Sequence, residues 1–492
     1  MSAESSRSNP PLQTSHPINF LIIGGGIAGL ACALALRRVG HHALVVERRD
    51  RRSGRGEGGI RLPPNLTKIF FHWGLRDALR EKGLVSHTIL FNRYESGEYL
   101  GRQVWDQDVL RETRGVFMLM THADLHDVLY EAAIRAGVRV RFNAEVASID
   151  PEEHEVELAT GEVLTGDVII GADGEYGPCR TAVLGKEVRG NPTGLAMYDT
   201  IVPGKYLPKH LASLRQDNGV FVAFGEGRAI VAYAVHGGKD YAFQFYGPDE
   251  HPEGKYGDSP TVPIAEITRT LDPRLKDVVR HARKAVRVTI RAHDDIEDWV
   301  EDDGRLVLIG EAAHPFPPGT IQATAMAVED GAVLAKLFSH LSEERQIESF
   351  LFAFQDLRQA RARSVRAGEF ASAFFMTIDG EGAAQRDAAM KAKSATGGNV
   401  LEGGEGEVNS LWEEIRTIFG YDCEDEADDW WVQWGLLRER ALSRQTDGDA
   451  DADYAYGGAG EEGGHAAPSL LDFSAMTVQV SSTASDYDAE AY

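Results

Sequence analysis

Ile18-Asn19-Phe20-Leu21-Ile22-Ile23 runs straight into Gly24-Gly25-Gly26-Ile27-Ala28-Gly29, then into an alanine- and leucine-rich segment from Leu30 to Val39 and on to Leu44-Val45-Val46-Glu47. An apolar run of strand length thus feeds G-x-G-x-x-G, a helix, and a second strand ending on an acidic residue about twenty positions further on. Each part has a mechanical task. Gly24 permits the tight turn, Gly26 lets backbone approach a pyrophosphate, and Gly29 lets the helix pack on the strand. The helix start offers N–H groups and a positive dipole to phosphates, and Glu47 can accept hydrogen bonds from a ribose. The pattern points to a dinucleotide site. The same glycine spacing recurs at Gly54, Gly56 and Gly59 in an arginine-rich loop and at Gly458, Gly460 and Gly463 in a glycine-rich tail. Neither copy has a strand before it and a helix after it, so only the first has the context that gives the spacing meaning.

Composition bounds the rest. A chain of 492 residues, 43% of them hydrophobic, can build a large core and two closely associated domains. A net charge of −25 argues against nucleic acid or an anionic membrane as partner. Ten of the acidic residues lie from Gln445 onward with no Lys or Arg among them, which leaves −15 for the remainder. Cys32, Cys179 and Cys423 form neither a disulfide framework nor a metal-ligating spacing, so a reducing, cytoplasmic setting without a metal is expected. Met1 to Pro17 is Ser/Pro-rich without an apolar core, unlike a signal peptide, and no segment approaches a membrane span.

Further along, His87 to Val104 reads as a hairpin turning at Ser96-Gly97, and Thr121 to Asp124 has capping-box spacing before a helix. Val168-Ile169-Ile170-Gly171-Ala172-Asp173-Gly174 is a buried strand ending in a tight acidic turn. Between about Pro192 and Ile290, alternating apolar runs predict a mostly antiparallel sheet that covers a substrate. Leu306-Val307-Leu308-Ile309-Gly310-Glu311 returns to the nucleotide-domain pattern, with a long helix after it. Gly380 to Glu407, rich in Gly, Ala and charge, reads as a linker or surface loop, and the composition beyond Arg444 cannot pack a core.

Three motifs now agree: Gly24 to Gly29; Gly171-Ala172-Asp173-Gly174 with Arg180 following; and Gly310-Glu311-Ala312-Ala313-His314-Pro315 before Ala327-Val328-Glu329-Asp330. Together they resemble the FAD-dependent aromatic hydroxylases of the para-hydroxybenzoate hydroxylase type, in a fungal salicylate-hydroxylase-like branch, over roughly residues 18 to 390. The resemblance implies an α/β fold with a Rossmann-type FAD-binding domain, an interleaved, mostly antiparallel substrate sheet, and C-terminal helices. The boundaries expected are a disordered start at 1–17, FAD domain at 18–86, 105–190 and 291–345, substrate sheet at 87–104 and 191–290, helical region at 346–444, and acidic disordered tail at 445–492. It implies non-covalent FAD, NAD(P)H as reductant without a second Rossmann domain, and oxygen transfer through a flavin C4a-hydroperoxide to an electron-rich aromatic small molecule, by a monomer or homodimer. Cofactor contacts are then expected at Gly24, Gly26, Gly29, Glu47, Gly59, His122, Asp173, Gly174, Glu311, Ala323 and Thr324.

The departures from the family are specific. Relatives usually have Asp where Glu311 stands, Arg where His122 stands and Gly where Ala323 stands. Many carry an arginine before a Val-Pro or Ile-Pro pair at the start of the sheet, whereas here Asp199 precedes Val202-Pro203. A carboxylate in place of that guanidinium argues for a neutral or cationic phenol over a simple aromatic acid. Tyr233 falls where the family has a substrate-facing tyrosine that could relay a phenol proton; by pattern alone it is equally a sheet aromatic. Besides hydroxylation, epoxidation or decarboxylative hydroxylation, a flavoprotein reductase or dehydrogenase, and a non-catalytic flavin-fold protein remain open. Deleting Gln445 to Tyr492 is expected to leave melting temperature and turnover nearly unchanged; a drop of many degrees would show that Leu470, Leu471 and Phe473 pack on the body.

Overall fold

In a computed structural model, the described residues are 12–53, 58–105, 107–207, 218–250, 258–302, 304–400 and 416–437. The acidic tail, with Leu470, Leu471 and Phe473, lies outside them. Residues up to Gln433 form one compact unit; of the second, Trp434–Tyr492, only 434–437 are described.

The strand Asn19–Ile23 sits at the centre of a five-stranded parallel sheet, between Val168–Gly171 and His42–Glu47, with Leu306–Leu308 and Arg139–Phe142 outside them. Leu21, Ile22 and Ile23 are at most 4% exposed, which is why this strand reads as a continuous apolar run instead of alternating. The helix Ile27–Arg38 covers one face. Its Cys32 lies where a Cβ on Gly331 would come within 2.8 Å of the Cys32 Cα, so the two helices Ile27–Arg38 and Ala323–Phe338 meet backbone to backbone. Cys32, Cys179 and Cys423 are all buried and unpaired. Thr121 caps the helix His122–Arg135, its hydroxyl accepting the Asp124 N–H at 3.0 Å.

A second sheet of eight strands runs in the order Thr261–Pro263, Lys284–Ala292, Asn191–Pro203, Asp240–Pro248, Ala229–Val235, Val220–Phe224, Thr88–Arg93, Tyr99–Val104. All neighbours are antiparallel except Val220–Phe224 against Thr88–Arg93. No described helix is long and apolar enough to cross a membrane, and no described cluster of His, Cys, Asp and Glu has metal-holding geometry.

Two expectations need correction. The end of the stretch 1–17 is ordered: Thr14 N–H donates to Val39 O at 3.0 Å and its hydroxyl to Leu341 O at 2.8 Å. Most of the expected loop from Gly380 is the helix Gly380–Ala395. Two of its charges are not solvated: Arg386 and Asp387 are buried, Asp387 pairs with Arg93 at 3.0 Å, and Arg386 donates to Phe375 O at 3.0 Å and lies 4.4 Å from the Phe224 ring.

The C-terminal helix Cys423–Trp430 is held to the helix Pro64–His72 by acids. Lys68 lies 3.1 Å from Asp422, and His72 Nδ1 lies 2.5 Å from Glu424, which also accepts from Trp73 Nε1 at 3.3 Å. The bond to Glu424 outweighs partial burial and raises the His72 pKa above 6.5. A raised folded value means that the pair stabilises fully when His72 is charged below the unfolded pKa, and that this is lost as pH rises through the folded one. The melting-temperature gap between the protein and Glu424→Gln should therefore be widest below the unfolded pKa of about 6.5 and shrink as pH rises above it. A gap that ignores pH would assign the stabilisation to Trp73 instead.

Candidate functional site

At the carboxyl ends of the parallel strands lies a cleft lined by Gly24, Gly26, Ile27, Ala28, Glu47, Arg48, Arg49, His122, Ala172, Asp173, Gly174, Glu175, Tyr176, Glu311, Ala323, Thr324 and Ala327. This is where open α/β sheets bind ligands. Of the candidate cofactor residues, all but Gly29 and Gly59 line it. Gly24 has φ +111°, and a Cβ there would sit 2.2 Å from Ala172 O. A Cβ on Gly29 would be 2.0 Å from Gly24 O, so its task is packing inside the turn. A Cβ on Gly26 would meet nothing within 4 Å; that face is open to the cleft.

Glu47 is held by two backbone donors, Gly25 N–H and Arg49 N–H, each at 2.8 Å. Asp173 Oδ2 accepts the Cys179 N–H at 3.0 Å, and burial raises its carboxyl pKa. Its Oδ1 is buried with no partner among the described residues, an acceptor that a hydroxyl of a bound dinucleotide would satisfy. Glu311 opens into the cleft, where desolvation by the walls and then the charge of Glu175 raise its carboxyl above the ordinary range. Ala323 and Thr324 begin the helix Ala323–Phe338, whose N-terminus aims N–H groups at the cleft. With the open face at Gly26 and the orphaned Asp173 oxygen, the lining fits FAD.

Behind the cleft runs a buried polar network. Asp330 Oδ2 accepts Gly310 N–H at 2.8 Å and pairs with His314 Nε2 at 2.6 Å. Arg358 donates to Asp330 Oδ1 and to Glu329 Oε2, each at 2.9 Å. Asn65 Nδ2 bridges Glu329 at 2.8 Å and Gln322 at 2.9 Å, and Gln322 N–H donates to Glu369 at 2.7 Å. Burial alone would raise the Asp330 carboxyl; His314 and Arg358 overcome it and hold the pKa below the ordinary value.

The profile of the FAD binding domain family matches residues 18–368. The chain belongs to that family. It is a FAD-dependent monooxygenase of the aromatic-hydroxylase kind. Similar proteins include 3-hydroxybenzoate 6-hydroxylase 1 of Aquipseudomonas alcaligenes, 30% identical over 77% of this chain and 94% of that one. The FAD-dependent monooxygenase OpS4 of Beauveria bassiana is 29% identical over 84% and 97%. Among solved structures, a salicylate hydroxylase substrate complex superposes with TM-score 0.65 at 19% identity, covering 84% of this chain and 97% of that one. Klebsiella pneumoniae HpxO with FAD and uric acid gives 0.67 at 20%, covering 82% and 98%.

On the sheet side of this monooxygenase, register puts Met197, Asp199, Gln244, Tyr246 and Tyr233 on one face, since Asp199 pairs with Gln244, and Tyr233 with Ala242, which pairs with Ile201. The strand Gly59–Leu62 crosses that face. A Cβ on Gly59 would sit 2.4 Å from Ala242 Cβ and 2.7 Å from the Tyr233 hydroxyl, so Gly59 is a contact with the sheet, away from the cleft lining. A Cβ on Gly58 would be 2.5 Å from Asp199 Oδ1, and Gly58 O accepts His122 N–H at 3.0 Å. Asp199 is half-buried. A guanidinium reaches this face from another element: Arg61, on the strand Gly59–Leu62, lies 5.9 Å from the Tyr233 ring centroid. Sequence reading also missed Arg358, Asn65 and Glu369, whose partners lie far away in the chain.

Gly26→Ala should fold with an unchanged melting temperature yet bind FAD at least about tenfold more weakly, because only the ligand needs that space. Gly29→Ala should lose both stability and FAD, since its Cβ has nowhere to go. Glu47→Ala should weaken FAD by about 1–3 kcal/mol in a fluorescence titration; unchanged affinity would remove Glu47 from the ribose contact.

Proposed function

We propose that this monooxygenase uses NAD(P)H and oxygen to hydroxylate an electron-rich phenol held between the eight-stranded sheet and the FAD cleft. The observation that carries the reading is the placement of Tyr233 and Asp199 on the one sheet face met by the strand that leads away from the cleft. Gly58 lies against Asp199 and Gly59 against Tyr233, and His122, which lines the cleft, is bonded to Gly58. Bound FAD, reduced by NAD(P)H, supplies an electrophilic oxygen derived from O2.

The chain's own residues prepare the other reactant. A phenol attacks an electrophilic oxygen as its phenolate, so its proton must leave as the ring reacts. Asp199 is the acceptor. Burial, opposed by the charge of Arg61, pushes the Tyr233 hydroxyl well above the ordinary phenol range, so at neutral pH Tyr233 keeps its proton and acts as a donor and relay, not as a base. The two residues stand two strands apart, about 10 Å, so the substrate bridges them. Three buried, unpaired cysteines support a reducing, cytoplasmic setting.

Tyr233→Phe should leave FAD content and flavin reduction intact while slowing oxygen transfer about a hundredfold. NAD(P)H oxidation should then uncouple and release hydrogen peroxide. Normal coupling in that variant would remove Tyr233 from the reaction. Oxygen uptake that never exceeds the substrate-free rate with any phenol would refute the hydroxylase reading and favour a reductase.

A further inference from the structure

A second cavity shares no lining residue with the FAD cleft. It holds about 430 Å³, within the range of small-molecule pockets, and lies between the long helix Ile347–Met376 and residues 417–419. The helix turns a row of small residues to it, Ser364, Gly368 and Ser372, four apart and therefore on one face. All three are exposed, and a Cβ on Gly368 would meet nothing within 4 Å. Glycine weakens a helix interior, and among the described residues no packing partner calls for it here. The wall opposite that row is apolar. Phe419 belongs to the cluster that contains Met197 and Tyr233, and Ile321 and Ile418 pack against that cluster.

Two charged groups line this cavity, and they differ in what they have left to give. Arg361 is engaged already: it pairs with Glu329 at 3.4 Å, donates to Ile418 O at 3.2 Å and lies 3.9 Å from the Tyr421 ring centroid. Glu369 is 9% exposed, and the donors that reach it are neutral backbone groups, Gln322 N–H at 2.7 Å and Ile321 N–H. Burial raises its carboxyl above the ordinary range, because those bonds and the charge of Arg61 do not offset the desolvation. A carboxylate has about four lone-pair sites, so two N–H donors do not saturate it.

We infer that this cavity binds an apolar molecule, or an apolar arm of one, through a single cationic nitrogen set on Glu369. An ammonium head brings the charge that the neutral donors lack, and charge-assisted bonds are about twice as strong as neutral ones. The apolar wall takes the body of the ligand, and the row of small residues leaves it room. An anion would find Arg361 committed elsewhere. Gln322 is the cap of the helix that faces FAD, so the nitrogen would stand one hydrogen bond away from the cofactor helix.

The test is calorimetric titration of the FAD-loaded full chain at neutral pH with 4-phenylbutylamine, 4-phenylbutanol and 4-phenylbutyrate, which share one apolar body under a cationic, neutral or anionic head. The amine should bind at least about tenfold more tightly than the alcohol, and the acid more weakly than either. Glu369→Gln keeps an oxygen for Gln322 N–H; it should bring amine and alcohol to within about threefold of each other with FAD content retained. Gly368→Leu fills the cavity from an exposed helix position and should weaken amine and alcohol alike by about tenfold or more. An amine that binds no better than the alcohol overturns the inference. So does a preference that survives Glu369→Gln or, if that variant does not fold, amine binding that ignores Gly368→Leu. Repeating the amine titration with phenol in excess separates the sources of the nitrogen. Mutual exclusion assigns it to an arm of the substrate and joint binding to a separate molecule, and either result supports the inference. None of these readouts requires turnover, so the hydroxylase reading stands or falls apart from them.

Discussion

Arg358 has no access to solvent, and everything around the cleft is arranged to answer its charge. Breaking a buried ion pair by removing one partner costs about 3–5 kcal/mol, because the other charge is left stranded. Arg358 meets two carboxylates on consecutive residues, Glu329 and Asp330, whose side chains leave the helix in different directions. One branch runs through Asp330 to the Gly310 turn and His314; the other runs through Glu329 and Asn65 to Gln322, the cap of the helix that faces the cleft. Gln322 is held a second time by Glu369. Arg358, with Arg361 also paired to Glu329 at 3.4 Å, therefore ties the Glu311 turn to the helix start at Ala323. Both line the FAD cleft.

Local chemistry made the cofactor side legible. A tight turn, a ribose acceptor and a strand-end carboxylate each need particular residues at short spacing, so Gly24, Gly26, Glu47, Asp173 and Glu311 stand out in the chain and line one cleft in the fold. Arg358, Asn65 and Glu369 do not stand out. They are polar residues on helices, their partners are up to 264 positions away, and no periodicity marks a polar side chain that points inward. Arg61 was hidden for a related reason: on a short strand entered from an arginine-rich loop, one more arginine carries no signal. The helix from Gly380 shows the opposite failure, since composition suited to water concealed two charges, Arg386 and Asp387, that the fold buries against each other.

Cofactor side and substrate side meet across very little chain. His122 holds Gly58 by its carbonyl, Gly59 lies on Tyr233, and Arg61 is two residues on. Successive side chains of a strand point to opposite faces, so this one segment can show a face to each compartment, and its glycines allow both to come close. A shift of the strand is transmitted to both sides at once, because the interior is too densely packed to absorb it.

The buried network draws its members from helices and turns; none comes from the eight-stranded sheet. The side chains proposed to face the substrate are the reverse: Asp199 and Tyr233 both stand on the sheet. On the proposed reading, exchanging Met197, Gln244 or Tyr246 would alter what the enzyme accepts without touching the buried charges around Arg358. Descent with a new diet is cheap on such a frame: a lineage can retune one wall of its reaction chamber, residue by residue, while the redox half goes on unchanged.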